Sequence, residues 1–131
     1  MSTRNLMWGM VALGLLLLNQ AGARAADDIR YGPEYQRCAQ GRTADIVECV
    51  GRLTKTWDRR LNAAYRKLLD ARPESVRRLR AAERLWIQFR DANCRYYGTG
   101  EGTITAIHAA ECMRSTTAHR ALELEDLLNG G

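Results

Sequence analysis

The chain has 131 residues, of which 27% are charged, and its formal net charge is +5. A chain of this length forms one domain with a real hydrophobic core but a high surface-to-volume ratio. The mildly basic balance lacks the charge density of a nucleic-acid-binding domain, so we expect no nucleic-acid partner.

The N-terminal segment has the pattern of a secretory signal peptide. Arg4 supplies a positive start, residues 6–18 form a short Leu-rich run, and Ala23-Arg24-Ala25 is a small-x-small cleavage pattern. The apolar run is shorter than the roughly 20 residues that span a bilayer, which argues against a retained anchor. We therefore expect a signal peptide at 1–25 and a single periplasmic domain at 26–131 with no membrane span. Cleavage removes two arginines and no acid, so the net charge falls from +5 to +3.

Four cysteines, all in the mature part, predict two disulfides: Cys38, Cys49, Cys94 and Cys112. We favour Cys38–Cys49 with Cys94–Cys112, because each pair encloses one short connecting segment. A bridge that closes about 12 residues stabilises a fold by about 3 kcal/mol. The alternative is Cys49–Cys94 with Cys38–Cys112, because Cys49 and Cys94 lie at similar levels of a helical hairpin.

The first half of the mature chain predicts a short helix and then a long one. Residues 34–39 can form a turn or two of helix before Gly41, and Thr43 is the predicted N-cap of the long helix. That helix runs to about Ala71, and its apolar residues recur at three or four positions: Ile46, Val50, Leu53, Trp57, Leu61, Ala64 and Leu68. Pro73 then ends it, and the short connection predicts an antiparallel neighbour.

The next helix carries the aromatic stretch 85–94, around which we expect the rest of the chain to be arranged. Trp86, Arg90 and Cys94 recur every fourth residue and share one side of it. An apolar stripe lies beside them: Val76, Leu79, Ala82, Trp86 and Phe89. We predict that Trp86 is buried and that its truncation costs stability.

The glycine-rich segment 98–102 is a predicted loop after a helix end near Arg95. A last helix is predicted from about Ala109 onwards, with these residues on its inner face: Met113, Thr116, Arg120, Leu124 and Leu127. No stretch has the alternating pattern of a strand. The predicted fold is therefore all-α, an antiparallel bundle of two long helices, a third C-terminal helix and a short N-terminal helix.

Four polar residues lie at positions that should face the core: Asp58, Asn62, Arg90 and Arg120. An arginine on an inner face needs a carboxylate, because an unpaired buried charge is costly. Asp58 is the best candidate partner for Arg90 or Arg120, and Asp91 is another. We interpret the set as a structural polar core that fixes helix register, with a polar catalytic pocket as the alternative.

Two other pairs of residues have a spacing that occurs in metal sites or catalytic sites, but neither pair predicts such a site. His108 and Cys112 stand four apart, as metal ligands can, yet Cys112 is expected in a disulfide. Ser115 and His119 are also four apart, without an orienting acid at fixed spacing. We expect no metal, no cofactor and no catalytic residue.

The order of the motifs is similar to that of a known family. In chain order they are two cysteines about ten residues apart, Asp58…Leu61-Asn62…Tyr65, the Trp86–Cys94 stretch, a glycine-rich loop, and Cys112, Thr116 and Arg120…Leu124. Over about Cys38 to Leu128 this pattern resembles the LprI-type lysozyme inhibitor domain family, small exported helical domains of bacteria. The resemblance implies a disulfide-bonded, non-enzymatic protein whose partner is a lysozyme. The family's named member is a lipoprotein, whereas this chain lacks a lipobox cysteine, which implies a soluble periplasmic protein.

The predicted partner-binding loop has two tyrosines and one carboxylate beside Cys94: Tyr96, Tyr97, Gly98 and Glu101. C-type lysozymes are usually basic, and a charge of +3 gives no bulk steering towards them, so a local loop must provide the attraction. Our leading hypothesis is a protein that occludes a lysozyme or related muramidase. The alternative is an envelope module that binds an anionic envelope polymer through a basic cluster: Arg77, Arg78, Arg80 and Arg84.

Overall fold

The computed structural model describes residues 29–130, so the expected signal peptide at 1–25 lies outside the described residues. Its helices are α1 (Pro33–Gln36), α2 (Thr43–Ala71), a 3-10 turn (Pro73–Ser75), α3 (Val76–Tyr97) and α4 (Ile104–Leu128). No strand occurs in this part of the chain. The predicted all-α fold and the order of its helices are confirmed. None of the helices within residues 29–130 combines the length and the apolar character needed to cross a membrane.

The ends of the helices differ from the prediction by a few residues. Arg42, not Thr43, is the N-cap of α2, and the Asp45 carboxylate accepts a hydrogen bond from its backbone N–H at 3.1 Å. The Thr43 hydroxyl instead hydrogen-bonds the Thr103 hydroxyl at 3.2 Å, which joins the starts of α2 and α4. Helix α4 begins at Ile104, earlier than predicted, because a helix buried on many sides has no apolar stripe to mark its start.

The centre of the fold is α4 and not the helix that carries Trp86, so that prediction is wrong. Helix α4 has these buried residues: Ile107, Glu111, Cys112, Arg114, Ser115, Thr117, Ala118, Ala121 and Leu124. Helix α3 buries only Glu83 and Cys94. Most buried residues of α4 are small, so neighbouring helices can approach it from more than one side.

Helices α2 and α3 run in opposite directions, as predicted, but each packs mainly on α4 rather than on the other. At the far end of the bundle the Arg72 guanidinium donates a hydrogen bond to the carbonyl of Leu127 at 2.9 Å, so α2 and α4 are parallel. Helix α3 is antiparallel to α4, because Glu83 meets Arg120 while Cys94 meets Cys112. This arrangement leaves an open cleft between α2 and α3.

The core has two clusters at different levels of the bundle. One lies near the turn at Pro73 and consists of Leu61, Ala64, Leu68, Ala121 and Leu124. The other lies at the start of α2 and α4 and consists of Cys38, Ile46, Val50 and Ile107. Most of these side chains come from α2 and α4, which are therefore the main source of hydrophobic stabilisation.

The apolar stripe predicted along α3 is divided between two faces. Leu79 and Trp86 pack against the core cluster near the turn, although Trp86 is only partly buried. Phe89 is 60% exposed and Ala82 is also exposed, contrary to the prediction. The reason is that α3 packs mainly on one partner helix, which covers only a narrow face.

The disulfides have the favoured pairing. Cys38–Cys49 and Cys94–Cys112 join residues whose Cα atoms are 5.5 and 5.4 Å apart, and no cysteine in residues 29–130 is free. The alternative pairing through Cys49–Cys94 is wrong. The second disulfide fixes the end of α3 on the first turns of α4.

Candidate functional site

The predicted partner-binding loop forms a tip at one end of the bundle, which we define as residues 96–101. Tyr96 and Tyr97 are the last residues of α3 rather than loop residues. Their rings meet edge to face with centroids 5.8 Å apart. Tyr96 is 72% exposed, and Glu101 is exposed on the following loop. The tip therefore presents an aromatic ring and a carboxylate to solvent.

The two tyrosines have different surroundings. Tyr97 is partly buried, and the Arg30 guanidinium lies 4.0 Å from the centroid of its ring. This cation–π contact holds Tyr97 against the N-terminal segment. Tyr96 projects from the same end of α3 and is the more accessible of the two.

The base of the tip packs closely on α4. A side chain at Gly98 would meet the methyl carbon of Ala109 and the carbonyl oxygen of Arg95 at 3.3 Å, so glycine permits this approach. The Cys94–Cys112 disulfide lies one helical turn before Gly98. The tip is thus fixed at its base by a covalent bond and by tight packing.

A second candidate site is the cleft between α2 and α3, which has a volume of about 350 Å³. Its lining includes aromatic, acidic, amide and basic side chains: Asp58, Asn62, Tyr65, Arg80, Arg84 and Trp86. Such a combination of apolar surface and a few convergent polar groups is typical of small-ligand sites.

A family model described as lysozyme inhibitor LprI matches residues 36–124, which is more than half of the chain. The chain belongs to the LprI lysozyme inhibitor family. No curated protein and no solved structure matches the chain. The matched residues include the whole cleft lining and the tip. The suspected family is thereby confirmed.

Several of the residues that carry the LprI resemblance line the cleft. Asp58, Asn62 and Tyr65 line it from α2, and Trp86 and Arg90 line it from α3. Asp58, Asn62, Trp86 and Arg90 are predicted from sequence to face a core. Asp58 is exposed instead, and the other three are partly buried at the wall of the cleft, because α2 and α3 both pack on α4 rather than on each other.

The pairing predicted for Asp58 in the polar core is wrong. Asp58 is exposed, and its carboxylate accepts a hydrogen bond from the Asn62 side-chain amide at 3.1 Å, one turn further along α2. Arg120 pairs instead with Glu83 of α3 and, at 2.6 Å, with Glu123. Helix register explains the difference, because Glu83 is the acid that α3 places opposite Arg120.

Arg90 pairs with Asp91, the second of the two partners predicted for it. Its guanidinium donates a hydrogen bond to Asp91 at 2.9 Å and lies 5.1 Å from the centroid of the Trp86 ring. Burial opposes the charge of Arg120, but the hydrogen bonds that its guanidinium donates to Glu123 and Glu83 outweigh this effect, so the pKa of Arg120 is raised. Both inner arginines are therefore engaged within the protein.

Sequence reasoning missed the most deeply buried charges. Arg114 is 1% exposed and Glu111 is not exposed at all. The Arg114 guanidinium donates to both Glu111 oxygens, at 2.7 and 2.6 Å, and also to Glu34 and to the carbonyl of Ile29. Burial opposes the charge of Arg114, but its acidic partners prevail and its pKa is raised.

This buried network attaches the N-terminal segment to α4. The backbone N–H of Tyr31 donates to Glu111 at 2.9 Å, and Glu34 also accepts a hydrogen bond from the Trp57 indole at 2.7 Å. The only sequence signal was the i, i+3 spacing of Glu111 and Arg114 among small residues. The other acceptors of Arg114, Glu34 and the carbonyl of Ile29, come from a distant part of the chain, so the spacing of residues within α4 does not reveal them.

The two pairs of residues that stand four apart, His108 with Cys112 and Ser115 with His119, take part in structural contacts. Cys112 is bonded to Cys94, and the Nδ1–H of His119 donates a hydrogen bond to the carbonyl of Ser115, 2.9 Å away. Within residues 29–130 no group of three or more His, Cys, Asp or Glu side chains could hold a metal ion.

Proposed function

We propose that this protein binds a lysozyme in the periplasm and blocks its active-site cleft with the tip. The observation that carries the proposal is Tyr96, a tyrosine that is 72% exposed at the end of a disulfide-anchored helix. Tyrosine side chains bury a large amphipathic surface on binding and lose little conformational entropy. A partner cleft that received this ring would bury it almost completely.

The anchoring of the tip supports tight binding. Association is weakened when loops must become ordered, so a preorganised base limits that loss. The disulfide, the Gly98–Ala109 approach and the Arg30–Tyr97 contact all restrain the residues around Tyr96.

Charge also favours the tip over the sides of the bundle. Glu101 offers an exposed carboxylate to a basic enzyme, whereas the exposed side of α3 carries arginines that would repel it. Membership in the LprI family supports a lysozyme as the partner, and two disulfides fit an exported protein.

A second candidate function is binding of an anionic envelope polymer along the outer face of α3. Leu85 and Phe89 are 67% and 60% exposed on this helix. Arg77 and Arg78 are exposed too, and neither forms an ion pair with any acid in the described part of the chain. An apolar strip with basic neighbours would suit a polyanion that also has apolar surface.

Two double variants separate these functions. Tyr96→Ala with Glu101→Ala should weaken lysozyme inhibition by at least about thirtyfold, as expected when an interface anchor is truncated. Arg77→Ala with Arg78→Ala is the matched control and should leave the inhibition constant within about twofold. All four side chains are exposed, so melting temperatures should stay close to that of the parent.

Tyr97 is deliberately kept, because it packs against Arg30 and its loss would disturb the tip itself. If the arginine pair removes inhibition and the tip pair does not, the site assignment is wrong. If neither the parent nor any variant inhibits lysozyme but the parent binds lipopolysaccharide through Arg77 and Arg78, the second function replaces the first.

A further inference from the structure

We infer that the cleft between α2 and α3 is a binding site for an acidic saccharide, a hydroxylated ring that carries a carboxylate. The site shares no residue with the tip, so it goes beyond lysozyme inhibition and does not depend on it. Its volume of about 350 Å³ lies within the range of small-molecule sites.

The cleft offers unengaged positive charge at its α3 wall. Arg80 and Arg84 are one helical turn apart, and both are exposed. No acid among residues 29–130 forms an ion pair with either of them, whereas Arg90, deeper in the same wall, is bound to Asp91. Guanidinium groups bind carboxylates through paired N–H donors, so this wall suits the acid group of a ligand.

The α2 wall offers hydrogen-bond acceptors suited to hydroxyl groups. The Asn62 amide donates to Asp58 through its nitrogen, at 2.8 Å to the carbonyl and 3.1 Å to the carboxylate. These bonds leave the amide oxygen of Asn62 and the other carboxylate oxygen of Asp58 as acceptors. Ring hydroxyls can donate to both.

Apolar surface between the two walls completes the site. Trp86 and Tyr65 line the cleft and are each partly buried. The face of an aromatic ring is electron-rich and apolar, and it attracts the weakly positive C–H groups on one face of a sugar ring. A flat ring with hydroxyls on its edge would therefore contact both kinds of surface at once.

Other ligand classes fit less well. A purely apolar molecule would cover Arg80, Arg84 and Asp58 without giving them partners, which is costly. A simple inorganic anion would be opposed by the carboxylate of Asp58 and would gain nothing from Trp86. A hydroxylated ring with one acid group satisfies the arginines, the carboxylate and the indole together.

The experiment uses two sugars that differ by one lactyl ether, which carries the acid group: N-acetylmuramic acid and N-acetylglucosamine. The mature chain has two tryptophans, Trp57 and Trp86, whose indole N–H signals can be followed by NMR in the exported protein. The acidic sugar should shift the Trp86 signal in a saturable manner. Trp57 is the internal control, because its indole donates to Glu34 at 2.7 Å outside the cleft. The neutral sugar should bind on the order of tenfold more weakly, the difference expected for one charge-assisted contact.

A charge-matched pair of variants tests the role of the arginines. Arg80→Gln with Arg84→Gln should weaken the binding of N-acetylmuramic acid about tenfold and leave the affinity for N-acetylglucosamine unchanged. Arg77→Gln with Arg78→Gln removes the same charge from outside the cleft and should change neither affinity. The inference is overturned if neither sugar shifts Trp86, if both sugars bind equally, or if the control pair weakens binding as much as the cleft pair. Tyr96→Ala should retain sugar binding, so failure of the tip proposal and failure of this one are distinguishable.

Discussion

Helices α3 and α4 differ in the size of their side chains and in how deeply they are buried, and the two properties run in opposite directions. Helix α3 carries Trp86 and Phe89, yet it buries only two of its residues. Helix α4 contains mostly small and polar residues, yet it buries nine, including a complete ion pair. Large aromatic side chains are therefore a poor indicator of the central helix. Small residues let a helix be covered from several sides, and a peripheral helix keeps its large residues for a cleft or a partner.

The largest expected effect of a single substitution lies in the buried ion pair of α4. Arg114→Met should lower the free energy of unfolding by about 3–5 kcal/mol, because Glu111 would keep a buried negative charge without a positive one beside it. Urea denaturation of the protein with both disulfides intact measures this change in the free energy of unfolding. The control is the double variant Arg114→Met with Glu111→Gln, which removes both charges and should recover part of the loss. A single variant as stable as the parent would mean that α4 is not central.

A pair of leucines tests the same contrast without charge. Leu124 of α4 is completely buried, and Leu85 of α3 is 67% exposed. Leu124→Ala should lower the free energy of unfolding by about 2–5 kcal/mol, since it removes core packing. Leu85→Ala should change it by less than about 0.5 kcal/mol. Equal effects in thermal or urea unfolding would show that α3 is covered as well as α4.

The smallest effect concerns the exposed edge between α2 and α4. Hydrogen bonds from Arg60, at 2.9 and 2.6 Å, lower the pKa of Glu125 below its ordinary value of 4.5. The pair therefore stabilises the fold above about pH 4.5, and this contribution is lost as the pH falls through the folded-state pKa. The contribution should be below about 1 kcal/mol, because both side chains are partly solvated.

Stability measured between neutral and acid pH checks this expectation. Glu125→Gln should be slightly less stable than the parent at pH 7 and should lose less stability on acidification. Glu101→Gln, which changes an exposed carboxylate of the tip, is the control and should follow the parent. If Glu125→Gln loses as much stability as the parent when the pH is lowered, the Arg60–Glu125 pair makes no contribution to stability.

Sequence predicted the parts of the fold that depend on local pattern. The stripe of α2 was recognised because that helix buries one face, with Ile46, Val50 and Leu68 on it. The disulfide pairing followed from short intervals between cysteines. The central role of α4 was not predictable from periodicity, since burial on several sides removes the contrast between apolar and polar faces.

The site was predicted less completely for a related reason. Asp58, Asn62 and Arg90 belong to one predicted group and all line the cleft, but whether such residues enclose a core or a cleft depends on the separation of two helices. The partner of Arg120 depends on which residue of α3 lies opposite it, and Glu83 is 37 positions away in sequence. Such register is set by packing and is absent from the spacing within either helix.

Both disulfides lie near the start of α4, and this has a consequence for how the molecule opens. At the opposite end, the turn at Pro73 is joined to α4 by side-chain contacts such as the hydrogen bond of Arg72 to Leu127. Residues 29–130 contain no disulfide at that end. Local opening should therefore begin at the turn, and amide hydrogens there should exchange with solvent faster than those near Cys112. The Cys94–Cys112 bond would keep α3 and α4 together at the other end during such an opening, so reclosure would be a short, local search.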